Sequence, residues 1–124
     1  MPDAPRIRIE RVYDASGDGG GEWRILVDRL WPRGLRKADV KLDRWDRDLG
    51  PSDGLRRWFA HDPKKWPEFE RRYRFELAEK TETLKELAEM ARERPLVLLY
   101  GARDTQHNQA VVLKEVLDEG IRNS

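Results

Sequence analysis

Apolar and polar positions alternate along the first third of the 124-residue chain at the period of strands, and further on at the period of helices. Residues 6–13 (RIRIERVY) place Ile7 and Ile9 two apart, the period of a half-buried strand. Residues 23–30 (WRILVDRL) carry the run Ile25-Leu26-Val27 and predict a core strand over 25–30, ended by Trp31-Pro32 because proline cannot donate to a ladder. The glycine-rich turn 14–21 (DASGDGGG) joins the two runs. They are candidates for a hairpin, although eight connecting residues exclude a two-residue turn. A short helix is expected over 35–41. In 42–49 (LDRWDRDL), Leu42, Trp45 and Leu49 also fit helical spacing. The sharp stop demanded by Pro51 favours a short strand or extended segment there.

The helical period begins after Pro51. Ser52 is a natural N-cap for a helix carrying Leu55, Trp58 and Phe59, and His61-Asp62-Pro63 ends it. Trp66, Phe69, Tyr73, Leu77, Leu84, Leu87, Ala88 and Ala91 then recur at intervals of three, four or seven. A single helix over 65–92 would be roughly 40 Å long at 1.5 Å per residue. A break near 81–83 is expected, with Thr83 and Glu86 as a capping box. Residues 95–100 (PLVLLY) are a continuous apolar run, the mark of a parallel strand covered on both faces. A polar loop follows. The last helix is expected from about Thr105, with Ala110, Leu113, Val116 and Leu117 on its apolar side and Gly120 as its stop. This order predicts one α/β domain over 1–124, three layers α/β/α around a small, mostly parallel sheet. Residues 25–30 and 96–100 should be neighbouring parallel strands.

Composition narrows the chemistry. The chain has no cysteine, which excludes disulfides, thiolate metal sites and a thiol nucleophile, and fits a reducing, cytoplasmic setting. It has two histidines and no carboxylate cluster at ligand spacing, so neither a metal nor another cofactor is expected. No apolar run is long enough to cross a bilayer, and the charged N-terminal residues are unlike a secretory signal. Charged residues make up 40% of the chain, yet 25 basic and 24 acidic side chains leave a net charge of +1. Such interleaving is the composition of a solvated surface and argues against a nucleic-acid partner. The sequence carries no signal for an oligomeric state.

Four segments, ILVDRLWPRG (25–34), WDRDLGPS (45–52), LRRWFAHDPKKWPEFERRY (55–73) and LLYGARDTQHNQAVVLKEVL (98–117), together resemble the YeaO-like family of uncharacterised bacterial and archaeal proteins, within the class called domain of unknown function 488. The resemblance runs from about Arg11 to Leu117. It implies no settled activity. Longer relatives in the class carry cysteines in the segment equivalent to LLYGARDTQHN. Here Tyr100 and Asn108 stand where thiols would be expected, so no thiol chemistry carries over.

Two loops gather the residues able to do chemistry. In open parallel sheets ligands bind beyond the C-terminal strand ends. Asp28, Arg29 and Arg33 flank one such end. The arginines supply forked donors for a phosphate or carboxylate, and Asp28 either orients one of them or serves as a base. The competing reading is a buried Asp–Arg pair that holds the turn. Tyr100, Asp104, His107 and Asn108 flank the other end, before a helix N-terminus whose free N–H groups favour an anion. His107 would be the acid or base there. The competing reading makes Asp104 or Thr105 a plain N-cap and Tyr100 a core residue. His61, beyond Phe59, is either a further ligand-binding group or a helix C-cap. The site expected is therefore Asp28, Asp104 and His107 as acid–base groups, with Arg29, Arg33, Tyr100, Asn108 and His61 binding a small anion such as a phosphate ester or nucleotide. Hydrolysis or group transfer is the reaction class such groups suit. The alternative is a nucleic-acid or protein-binding surface built on Arg56, Arg57, Arg71, Arg72 and Arg74. The neighbouring Glu68, Glu70 and Glu76 oppose it.

Overall fold

A computed structural model describes residues 6–14 and 21–122. Four strands form one sheet: β1 (Ile7–Arg11), β2 (Trp23–Leu26), β3 (Arg44–Trp45) and β4 (Leu96–Tyr100). Every pairing is parallel, in the order β1-β4-β2-β3. Among the described residues four α-helices accompany it: α1 (Asp53–Phe59), α2 (Trp66–Leu77), α3 (Thr81–Glu93) and α4 (Gln109–Arg122).

β1 and β2 do not form the hairpin that their apolar runs suggested. β4 inserts between them, setting Ile7 and Trp23 on either side of Leu96, and Ile9 and Ile25 on either side of Leu98. The expected neighbours 25–30 and 96–100 do pair in parallel. The ladder is shorter on the first of these, closing with the Val27 N–H donating to the Leu99 carbonyl at 3.0 Å. Of the glycine-rich turn, residues 15–20 lie outside the described residues.

The three layers are unequal. On one face Ile25, Val27, Leu96, Leu98 and Tyr100 meet all four helices in the main core. On the other, Leu26, Val97 and Leu99 are covered by the segment from Trp31 to Trp45, whose expected helix is one 3-10 turn at Lys37–Asp39. The extended reading of 42–49 holds in β3.

Helix ends follow local chemistry. Ser52 caps α1 by accepting from the Leu55 N–H at 3.2 Å, and Glu76 of α2 accepts from the Ser52 N–H at 2.8 Å. The long helical stretch breaks at 78–80, slightly ahead of the expected point. Lys80, with no side-chain cap bond, precedes α3, so Thr83 and Glu86 form no capping box. Glu86 instead accepts from Arg44 at 2.9 Å. α4 starts at Gln109, four residues later than expected, because Asn108 caps it by accepting from the Val111 N–H at 3.2 Å. It also runs through Gly120 to Arg122.

The face of α2 read from spacing is the buried one. Phe69 stacks on Phe59 with centroids 4.3 Å apart and lies 5.6 Å from Tyr73, whose hydroxyl donates to the Leu49 carbonyl. Phe69→Ala should therefore cost roughly 3–5 kcal/mol in urea unfolding. Phe75→Ala, on the outer face of the same helix at 75% exposure, should change stability by less than about 0.5 kcal/mol.

Candidate functional site

The C-terminal ends of β2 and β4 lie side by side, and the chain leaving each opens a cleft of about 290 Å³. Asp28, two residues past β2, stands at its inner end. One oxygen of Asp28 accepts from the Gly101 N–H at 2.9 Å and the other from the Gln109 side-chain amide. The approach requires glycine, since a Cβ at position 101 would sit 2.7 Å from Asp28 Oδ2. Asp28 belongs to no ion pair among the described residues, so it is neither the arginine-orienting group nor half of the buried Asp–Arg pair considered from sequence.

Arg29 is held elsewhere. Its guanidinium donates to the Pro51 carbonyl at 2.8 Å and the Gly50 carbonyl at 3.1 Å, tying the end of β2 to the start of α1. Gly50 is needed for this packing, because a Cβ there would lie 2.8 Å from the Arg29 backbone nitrogen. Arg33 is exposed at the cleft mouth, and its carbonyl accepts from the Tyr13 hydroxyl at 2.6 Å. Arg56 of α1 lines the same cleft, its Nη2 donating to Asp53 at 3.4 Å and its Nε buried with no hydrogen-bond partner. His61 completes the rim. Ala60, the C-cap of α1, has φ 46° and His61 φ 57°, two consecutive left-handed residues neither of which is glycine. Such backbone costs about 1–3 kcal/mol per residue and gathers at sites of function. Phe59 and Phe69 supply the apolar floor, and Trp31 and Pro32 a wall.

The structure thus brings together Asp28, Arg29, Arg33 and His61 from the expected set. The other four form a separate group that does not line the cleft. Asp104 turns its own loop, accepting from the backbone N–H groups of Gln106 at 2.9 Å and His107 at 3.0 Å. Those N–H groups and the His107 ring, 2.9 Å away, hold its carboxyl below the usual range. The His107 ring meets Trp66 edge-on at 5.3 Å. Asn108 is the buried cap of α4, and Tyr100 is a buried strand-end residue whose phenol burial pushes up. Arg56 and Gln109 escaped the sequence reading as site residues. Arg56 figured only in a charged helix face, and Gln109 had no signal until the start of α4 was fixed.

The arginine-rich helix surface is largely neutralised. Arg71 and Arg72 both bind Glu68 at 2.7 Å, and Arg74 binds Glu70, Glu115 and Glu119. No described helix is long and apolar enough to cross a membrane, and no group of three potential metal ligands occurs among the described residues.

Burial raises the Asp28 carboxyl from 3.8 to about 6, with the Gly101 N–H and Gln109 pulling partly the other way. The folded state therefore binds its proton more tightly than the unfolded chain. Stability falls as pH rises between those two values, and the loss is complete above about pH 6. Asp28→Asn should stabilise the fold by roughly 1–3 kcal/mol at about pH 8 and give no such gain near pH 3, measured by urea unfolding across that range.

Comparison with known proteins matches residues 6–124 to a family model described as the inactive DUF488-N3 subclade. The uncharacterised protein YeaO of Escherichia coli K12 is 44% identical over 111 residues, 90% of this chain and 96% of its own length. The uncharacterised protein Rv3073c of Mycobacterium tuberculosis H37Rv is 35% identical over 113 residues, 91% of this chain and 94% of its own. No solved structure matches.

Proposed function

Because the chain belongs to the inactive DUF488-N3 subclade, we propose that its cleft binds a small anion, a phosphate ester or similar group, and holds it without turning it over. The observation that carries this reading is the convergence of two guanidinium side chains, Arg33 and Arg56, on the lining of one open cleft. Arg56 is engaged only by an exposed 3.4 Å pair with Asp53, the kind of contact that contributes little and that a ligand anion can replace. Arg33 at the mouth adds a second guanidinium fork suited to phosphate or carboxylate oxygens. His61, projected by strained backbone, adds a third donor. Among the described residues the lining offers no serine, threonine, cysteine or lysine, and the Tyr13 hydroxyl is engaged by the Arg33 carbonyl. Asp28 is fixed through both oxygens. These features suit retention of a ligand better than covalent transfer, in keeping with the word inactive in the family description.

Calorimetric titration with ethyl phosphate should show one site per chain. Arg33→Met and Arg56→Met should each weaken it about tenfold, the scale of one lost charge-assisted hydrogen bond, with melting temperatures held. His61→Gly should weaken binding while stabilising the fold by about 1 kcal/mol, since glycine adopts φ 57° without strain. Absence of any phosphate binding, or arginine variants that bind as wild type, would remove the proposal.

A further inference from the structure

An anion at the mouth leaves the inner end of the cleft unexplained. Asp28 is a half-buried carboxylate with two hydrogen bonds and, among the described residues, no ion pair. Isolated buried charges are costly and are normally paired. The chain has arginines on the same cleft, yet Arg29 is turned to the carbonyls of Gly50 and Pro51, and Arg56 donates to Asp53 on its own helix at 3.4 Å. The cleft therefore holds a carboxylate and two guanidinium groups that form no ion pair with one another. The rings of Trp31, Phe59 and Phe69 line the same cleft, surfaces that accept a cation or an alkyl chain equally well.

We propose that the ligand is a zwitterion, with a protonated amine on Asp28 and its acidic group on Arg33 and Arg56. This rests on the anion reading above and extends it to the other end of the same molecule. Each carboxylate oxygen of Asp28 keeps acceptor capacity beyond its single bond, so an ammonium group can donate to it without displacing Gly101 or Gln109. No bond is made or broken in the complex. Recognition is a charge pair at each end of an apolar spacer. A simple dianion would meet repulsion from Asp28 at the inner end, and a simple amine would meet the arginines at the mouth.

The test compares matched probes that differ only in the amine: aminoethyl against ethyl phosphate, aminopropyl against propyl phosphate, and aminobutyl against butyl phosphate. Titrations are run at about pH 8, where Asp28 is ionised. In the wild-type protein at least one amine-bearing probe should bind about tenfold tighter than its partner, the scale of one charge-assisted contact. In Asp28→Asn that advantage should vanish, while the amine-free probe binds as well as before or better. Equal binding within every pair in the wild type overturns the zwitterion and leaves the anion site standing, and this comparison needs no variant. An advantage that survives in Asp28→Asn also overturns it, by placing the amine elsewhere. Failure of all the alkyl phosphates to bind removes the anion reading itself, and the zwitterion with it.

Discussion

A strand paired on both edges and covered on both faces has no position at which a polar side chain is solvated, and β4 occupies that place. All five of its residues are buried. Its backbone groups are satisfied by β1 on one edge and β2 on the other, and its side chains divide between the helical core and the smaller cluster under residues 31–45. Everything else is arranged around it. The flanking strands run parallel to it, the helices gather on the face of Leu96, Leu98 and Tyr100, and the strand ends that carry polar residues emerge together on one edge of the sheet.

That edge concentrates the costs of the fold. The carboxylate of Asp28 is kept in a site that favours its protonated form, a side chain at 50 would meet the Arg29 backbone and one at 101 the Asp28 carboxylate, and two left-handed residues end α1. The surface is managed differently. Its arginines are spent on glutamates one helical turn away or on the neighbouring helix, as where Arg74 joins α2 to α4. Such pairs contribute little individually and leave no net field.

The α/β class, the parallel pairing of β2 with β4, the Ser52 cap and the buried face of α2 were all legible in the sequence. Each depends on a local period or one capping side chain, so neighbouring residues carry the information. The sheet order was not legible, because the choice between hairpin and insertion at β1 and β2 is made by residues 96–100, far along the chain. The start of α4 was missed for a related reason. Asp104, Thr105 and Asn108 are all competent caps, and the loop turn around Asp104 decides among them. The site divided along the same line. Asp28 and Arg33 lie on the chain leaving β2 and His61 joins their cleft from the C-terminal end of α1, whereas His107 is drawn off by Asp104 and Trp66. Arg56 belongs to the cleft through the docking of α1, which no single-residue pattern announces.

The position of β4 also bears on how the chain acquires its structure. The first two strands cannot bond to each other, since the strand that separates them is the last of the four to be synthesised. Until residues 96–100 leave the ribosome, β1 and β2 have no partner for the edges that Leu96–Tyr100 will fill, and the cluster beneath Trp31 and Trp45 lacks Val97 and Leu99. Closing Ile7 onto Leu96 then spans most of the chain, a long loop whose entropy is lost before its contacts form. The fold is thus completed late and at once, and a chain cut short before Pro95 presents two unpaired apolar edges of the kind on which nascent proteins aggregate.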